Sequence, residues 1–77
     1  MNIRRKKRIE KLIPILEDVQ SEIENIKDEE QDALDNTPES LQGSERYEIS
    51  EEAVDTLEYA FDSVQEAIDY LQEVIDR

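Results

Sequence analysis

The carboxylates are the residues of this chain with the greatest capacity for chemistry. The 77 residues include 22 Asp and Glu but neither His nor Cys. Four aspartates recur at every seventh position: Asp55, Asp62, Asp69 and Asp76. Acid-base catalysis and cation binding need carboxylates that converge, whereas this spacing lines them along one side of a helix. The sequence therefore predicts no enzyme activity, no metal site and no cofactor.

Three particular kinds of metal site are excluded by the residues they require. The stretch from Asp28 to Asn36 has acidic residues but lacks the mid-loop glycine of an EF-hand. A di-iron bundle needs Glu-x-x-His, and a zinc site of the usual kind needs Cys or His. Neither pattern can be assembled from this composition.

A basic segment opens the chain and contrasts with everything that follows. Residues 1–13 carry a net charge of +5, and the remaining 64 residues carry −18. The basic cluster is Arg4, Arg5, Lys6, Lys7 and Arg8. Such a run can contact nucleic acid or an anionic membrane surface. It has no aromatic residue for base stacking, and the acidic body repels phosphate, so nucleic acid is an unlikely partner. The favoured interpretation is that the cations pair with carboxylates of this chain or of a second copy, or stay unpaired in solvent.

The start of the chain also has to be tested as a targeting segment. Glu10 and Lys11 interrupt the apolar residues that follow the basic cluster, and no small-residue cleavage site comes after them. No run approaches the roughly 20 apolar residues of a membrane-spanning helix. We expect a cytoplasmic protein with no membrane span.

Apolar residues in the first half recur with helical periodicity. Lettered as heptads from Ile9, positions a and d form a seam: Ile9, Leu12, Leu16, Val19, Ile23, Ile26, Glu30 and Ala33. This pattern predicts a helix over about residues 3–34. Pro14 either kinks that helix or begins it, and the continuous phase of Ile9 and Leu12 favours the kink.

The second half contains a seven-residue repeat, AVDTLEY AFDSVQE AIDYLQE VIDR, from Ala53. In this frame Phe61 is an a residue. Positions a and d are apolar, and position g adds a stripe of small residues: Ala53, Ala60, Ala67 and Val74. An apolar face three positions wide exceeds the seam of a two-stranded coiled coil, so a second packing neighbour is expected. These four residues and Phe61 are the predicted oligomer interface.

The boundaries of the second helix are set by its capping signals. Ser50 followed by Glu51 and Glu52 predicts a helix over about residues 50–76, although Tyr47 is in phase with position a and would allow a start near Ser44. The connector, about 35–49, is expected to contain a helical turn at 38–42. Residues 1–77 then form one all-α domain, an antiparallel helical hairpin with heptad-like seams.

A lone hairpin of this size has little core, so pairing into a dimeric four-helix bundle is expected. Within each hairpin, the basic start should lie beside acidic residues near the end of the second helix: Glu66, Asp69, Glu73 and Asp76. Much of the charge asymmetry would then be satisfied inside the molecule.

The high density of acids raises a hypothesis about partners. A rod with so many carboxylates could mimic nucleic acid and bind a protein with a basic surface, whereas an ordinary acidic bundle would use the same charge only to remain dispersed in water. The candidate partner surface consists of the four repeat aspartates with two outward tyrosines: Asp55, Asp62, Asp69, Asp76, Tyr59 and Tyr70.

One segment resembles known proteins. The sequence NTPESLQGSERYE at residues 36–48, followed by AVDTLE at 53–58, resembles small acidic helical proteins encoded by phages and mobile elements of Gram-positive bacteria. The resemblance covers about residues 34–72 and implies an accessory protein that binds a host or phage protein. The alternative is a structural or regulatory protein whose basic N-terminal segment contacts nucleic acid or a membrane surface.

Overall fold

The computed structural model describes all residues, 1–77, and is entirely helical. Helix α1 spans Ile3–Asp35, a single 3₁₀ turn spans Glu39–Leu41, and helix α2 spans Glu45–Asp76. The two long helices pack side by side in a rod that measures 60 × 14 × 13 Å. No helix is long and apolar enough to cross a membrane.

Helix α1 is capped at both ends and passes through its proline. The Asn2 side chain accepts a hydrogen bond from the Arg5 main-chain nitrogen at 2.8 Å, which satisfies one of the free donors of the first turn. At the other end, the Asn36 side chain donates to the Asp32 carbonyl at 2.8 Å. Pro14 lies inside α1, so it does not begin the helix.

Helix α2 begins at Glu45, five residues before the predicted start at 50. The Ser44 hydroxyl caps the helix by accepting from the Tyr47 main-chain nitrogen at 3.2 Å. The prediction that Ser50 is the N-cap is therefore wrong, and the alternative start near Ser44 is correct. The earlier cap prevails because it extends the seven-residue phase to Tyr47 and adds helical hydrogen bonds before Ser50.

Three contacts along the rod establish that the helices are antiparallel. The Lys6 Nζ atom donates to the main-chain oxygen of Arg77 at 3.0 Å, near the open end of the hairpin. Gln20 bonds to Gln65 in the middle, and Lys27 bonds to Glu58 nearer the connector. The predicted helical hairpin is confirmed.

The face that α1 turns toward α2 differs from the predicted seam. The a residues Ile9, Leu16, Ile23 and Glu30 are at least partly covered, as predicted. The predicted d residues are exposed instead: Leu12, Val19, Ile26 and Ala33. Position e takes their place: Lys6, Ile13, Gln20, Lys27 and Leu34. Helix α1 is thus rotated about its axis by about one heptad position relative to the prediction. Two of the e residues, Ile13 and Leu34, are apolar and suit the seam. Two others, Gln20 and Lys27, form hydrogen bonds with polar partners on α2.

Helix α2 packs with the face that its repeat predicts. All of its a, d and g residues from Ala53 onward are at least partly covered, and Ile68 is the most buried of them at 8% exposure. The whole chain nevertheless has only three buried residues, Gln20, Leu34 and Ile68. The hairpin is held by a narrow seam between two long surfaces.

Candidate interaction surfaces

Polar contacts across the seam identify one side of the hairpin. Gln20 is 9% exposed, and its Nε2 atom donates to Gln65 Oε1 at 2.8 Å and to the Phe61 carbonyl oxygen at 3.5 Å. Its amide is therefore paired rather than stranded among apolar neighbours. The sequence pattern did not indicate this residue, because a single glutamine at position e of a charged helix looks like a surface residue.

The second cross-helix contact is an ion pair between Lys27 and Glu58, with 2.6 Å between Nζ and Oε2. The hydrogen bond from Lys27 to Glu58 raises the pKa of the ammonium group above its ordinary value of 10.5. The negative charges of Glu58, Asp28 and Glu24 act in the same direction, while partial desolvation opposes them. This ion pair and the Gln20–Gln65 pair occupy position e of both helices, so they mark the same side.

The side marked by these pairs carries most of the regularly spaced carboxylates. In antiparallel helices the e positions face each other, and position b lies next to them on the outside of each helix. On α2 this position holds the exposed residues Asp55, Asp62, Asp69 and Asp76; on α1 it holds the exposed residues Glu10, Glu17 and Glu24. We call these seven residues the carboxylate face. They form two rows, and no three acidic side chains converge closely enough to hold a metal ion.

The opposite side of α2 carries no charge over seven turns. Positions g and c alternate along it as one line: Ile49, Ala53, Thr56, Ala60, Ser63, Ala67, Tyr70 and Val74. The predicted interface residues Ala53, Ala60, Ala67 and Val74 belong to this line, whereas Phe61 lies in the seam beside Gln20. Reading position c together with g would have revealed the line from the sequence.

Helix α1 contributes a matching apolar stripe on the same side. Its residues are Leu12, Ile15, Val19 and Ile26, which are 44% to 57% exposed. They occupy positions d and g, on the far side of the a residues from Gln20 and Lys27. We call this stripe and the uncharged line of α2 together the uncharged face.

The two outward tyrosines do not lie together. Tyr59 and Tyr70 are exposed, at 73% and 66%, as their positions predicted. Tyr70 borders the uncharged face, and Tyr59 lies about three turns, or roughly 16 Å, before it along α2. Tyr59 is a helical neighbour of Asp55 and Asp62 and so borders their row, whereas Tyr70 lies outside it.

The basic segment lies on the first turns of α1 and is exposed except for Lys6. Arg4, Lys7, Arg8 and Lys11 line a shallow groove with Ile3. No carboxylate lies within 4.0 Å of these cations, since the one ion pair of the chain joins Lys27 and Glu58. The basic segment lies beside the end of α2, as expected, and Lys6 reaches the Arg77 main-chain oxygen. No ion pair joins the segment to the acids there, Glu66, Asp69, Glu73 and Asp76.

Comparisons with known proteins assign the chain to no family. No family model, curated protein or solved structure matches it. The function must therefore be argued from the two faces and from the basic segment.

Proposed function

We propose that this protein is a small acidic, self-associating interaction module, a phage or mobile-element accessory protein that binds a host or phage protein through its carboxylate face. The observation that carries the proposal is the continuous exposure of Asp55, Asp62, Asp69 and Asp76 along α2. A row of carboxylates on a stiff helix is complementary to a surface where lysines and arginines follow a nucleic-acid backbone.

The charge density supports nucleic-acid mimicry as the form of recognition. Residues 14–77 carry a net charge of −18. The 32 residues of α2 extend about 48 Å, which corresponds to one net charge per roughly 2.7 Å of rod. Duplex DNA carries one per about 1.7 Å, so the rod offers a similar field at somewhat lower density. A groove that binds phosphates would therefore attract the carboxylate face at low salt.

Self-association is supported by the small amount of surface that one hairpin buries. Three residues of 77 are buried, and five large apolar side chains of α1 are at least 44% exposed. A second copy is the simplest cover for such a surface, since a two-fold pair of hairpins makes a four-helix bundle. The carboxylate face would remain free on each side of that bundle.

The proposal is tested by recovering partners from a bacterial lysate with three tagged forms of the protein. The first is the wild type, and the second replaces Asp55, Asp62, Asp69 and Asp76 with Asn. The third is a matched control with four glutamates on the back of α2 replaced by Gln: Glu45, Glu52, Glu66 and Glu73. Each variant loses the same charge from the same helix, so only the position of the loss differs.

We expect the wild type and the Gln variant to retain a basic nucleic-acid-binding protein that elutes as salt rises. The Asn variant should lose at least tenfold in recovery, since several charge pairs disappear together. Equal retention by the Asn variant, or retention that is insensitive to salt, would contradict the proposed role of the carboxylate face.

A second candidate function is favoured by the free cations of the first turns. Arg4, Lys7, Arg8 and Lys11 share one exposed surface and have no partner in the hairpin. This surface could bind nucleic acid or an anionic membrane while the body of the protein dimerises. Deletion of residues 1–8 separates the candidates, because the carboxylate face predicts unchanged partner recovery and the basic surface predicts its loss.

A further inference from the structure

The uncharged face is large for a chain of this composition. Charged residues make up 40% of the sequence, yet the line on α2 from Ile49 to Val74 contains none. The facing stripe on α1 adds four large apolar side chains. On α1, Glu22 and Glu29 share position g with Ile15 and border the stripe. Exposed apolar side chains occurring singly are ordinary, but an apolar stripe beside an uncharged line on the neighbouring helix is typical of an interface.

The exposed area is sufficient for a stable dimer. The hairpin has an accessible surface of 6085 Å². A compact monomer of 9.1 kDa exposes about 4,900 Å², so the hairpin carries an excess of roughly 1,200 Å². Stable protein interfaces bury about 800 Å² on each partner. One copy of the same face can therefore cover most of the excess.

The charges at the two ends of the rod favour one orientation of the second copy. Residues 1–13 and 72–77 lie at the open end of the hairpin, with net charges of +5 and −1. Residues 28–52 lie at the connector end and carry ten acids with Arg46, a balance of −9. A parallel pair would place the two connector ends together, whereas an antiparallel pair places each against an open end of opposite sign.

The α1 stripe is nearly symmetric about its centre, as an antiparallel pair requires. Leu12 and Ile26 lie seven residues on either side of Val19. A two-fold axis at Val19 places Leu12 of one copy beside Ile26 of the other. The same axis brings Arg8, at position g, within about one turn of Glu29, at position g of the second copy.

We propose that a second copy of this chain covers the uncharged face in antiparallel orientation, with Val19 at the two-fold axis and each basic segment beside the connector end of the other copy. This assignment rests on the proposed self-association and specifies its surface and direction. It leaves both carboxylate faces exposed on the outside of the four-helix bundle.

Single cysteine substitutions test the assignment directly, because the natural chain has no cysteine. Val19→Cys places two thiols at the proposed axis, within reach of a disulfide. Leu12→Cys places the two thiols of a dimer about 21 Å apart along the rod, too far to form a disulfide. In a mixed dimer, however, the Leu12→Cys thiol of one copy lies near the Ile26→Cys thiol of the other. Ser21→Cys lies at the same height as Val19 on the outer surface of α1 and serves as the matched control.

Under mild oxidation we expect Val19→Cys to shift from the monomer to the covalent dimer band, and an equal mixture of Leu12→Cys and Ile26→Cys to form the mixed dimer. Ser21→Cys and Leu12→Cys alone should remain reduced. Circular dichroism establishes that each variant is helical, and light scattering gives its mass before oxidation.

Two different results would overturn the assignment. A dimeric mass with no Val19→Cys product, or with a Leu12→Cys homodimer, would contradict the antiparallel face and leave self-association intact. A monomeric mass of the wild type would contradict self-association itself.

Discussion

The two faces of the hairpin are built by the same two helices and differ in almost every residue. The carboxylate face consists of seven acidic residues at successive b positions, three on α1 and four on α2. On the uncharged face, eight successive g and c positions of α2 carry no charge. The seam between them is narrow, with Leu34 and Ile68 as its buried apolar residues.

This difference indicates what each face is for. A need for dispersal in water would place charge on every exposed surface, since contiguous uncharged surface promotes association. The line on α2 instead carries no charge and the α1 stripe is bordered by Glu22 and Glu29, whereas successive b positions of both helices are acidic. We therefore interpret the uncharged face as the surface buried by a second copy and the carboxylate face as the surface offered to a basic partner.

The largest effect is expected from charging the uncharged face. Replacing Ala60 and Ala67 with Glu would bury two unpaired charges from each copy and weaken dimerisation by about 4 kcal/mol or more, roughly a thousandfold in Kd. Sedimentation equilibrium measures this change, and circular dichroism checks that helix content is retained.

The matched control adds the same two charges elsewhere. Ser21 and Gln31 are exposed residues of α1 outside the uncharged face, and their replacement with Glu should leave the Kd within a few-fold of the wild type. Equal weakening by both double variants would show that total charge, rather than the face, controls association.

A smaller effect, on the free energy of unfolding, is expected when a buried side chain is shortened in the seam between the two helices. Leu34 is 6% exposed, so Leu34→Ala should reduce the free energy of unfolding by about 3 kcal/mol through lost burial and a cavity. Leu41, in the connector, is 54% exposed, and Leu41→Ala should have little effect. Urea unfolding at one protein concentration compares the two variants, and similar losses would mean that the seam has been misplaced.

The start of α2 decides whether Ile49 belongs to the uncharged face. Ser44→Ala removes the side-chain cap and should reduce the free energy of unfolding by about 1 kcal/mol, whereas Ser50→Ala, inside the helix, should change it by a few tenths. Thermal unfolding followed by circular dichroism distinguishes them. A larger effect at Ser50 would move the helix start beyond Ile49 and shorten the face.

The smallest effect is expected from the ion pair on the carboxylate side. Because the pKa of Lys27 is raised in the folded chain, the stabilisation from this pair is fully present below its ordinary value of 10.5 and is lost as pH rises through the folded value. Lys27→Met should lower the Tm slightly at neutral pH and not at strongly alkaline pH. Lys7→Met is the control, since Lys7 has no acidic partner. If Lys27→Met lowered the Tm equally at both pH values, the ion pair could not be the cause.

The sequence predicted the hairpin well because its evidence is local. The repeat from Ala53 indicates the packing face of α2, and the connector residues indicate a reversal between two long helices, although the predicted cap at Ser50 was wrong. These signals depend on neighbours within one or two turns. They therefore do not depend on how the other helix packs.

The rotation of α1 could not be predicted in the same way because it depends on both helices at once. Apolar residues at Leu12, Val19 and Ile26 made position d the better choice by hydrophobicity alone. The observed seam instead accepts Gln20 and Lys27, whose partners are 45 and 31 residues away in sequence. The pattern of α1 alone contains no information about such partners. The apolar stripe of α1 was therefore predicted to be part of the seam.

The mass of the wild-type chain in solution tests the central claim most directly. Light scattering at physiological salt should give twice 9.1 kDa, because each uncharged face is covered by a second copy. A mass of 9.1 kDa at the same concentrations would contradict the account, since no second copy would then cover the uncharged face.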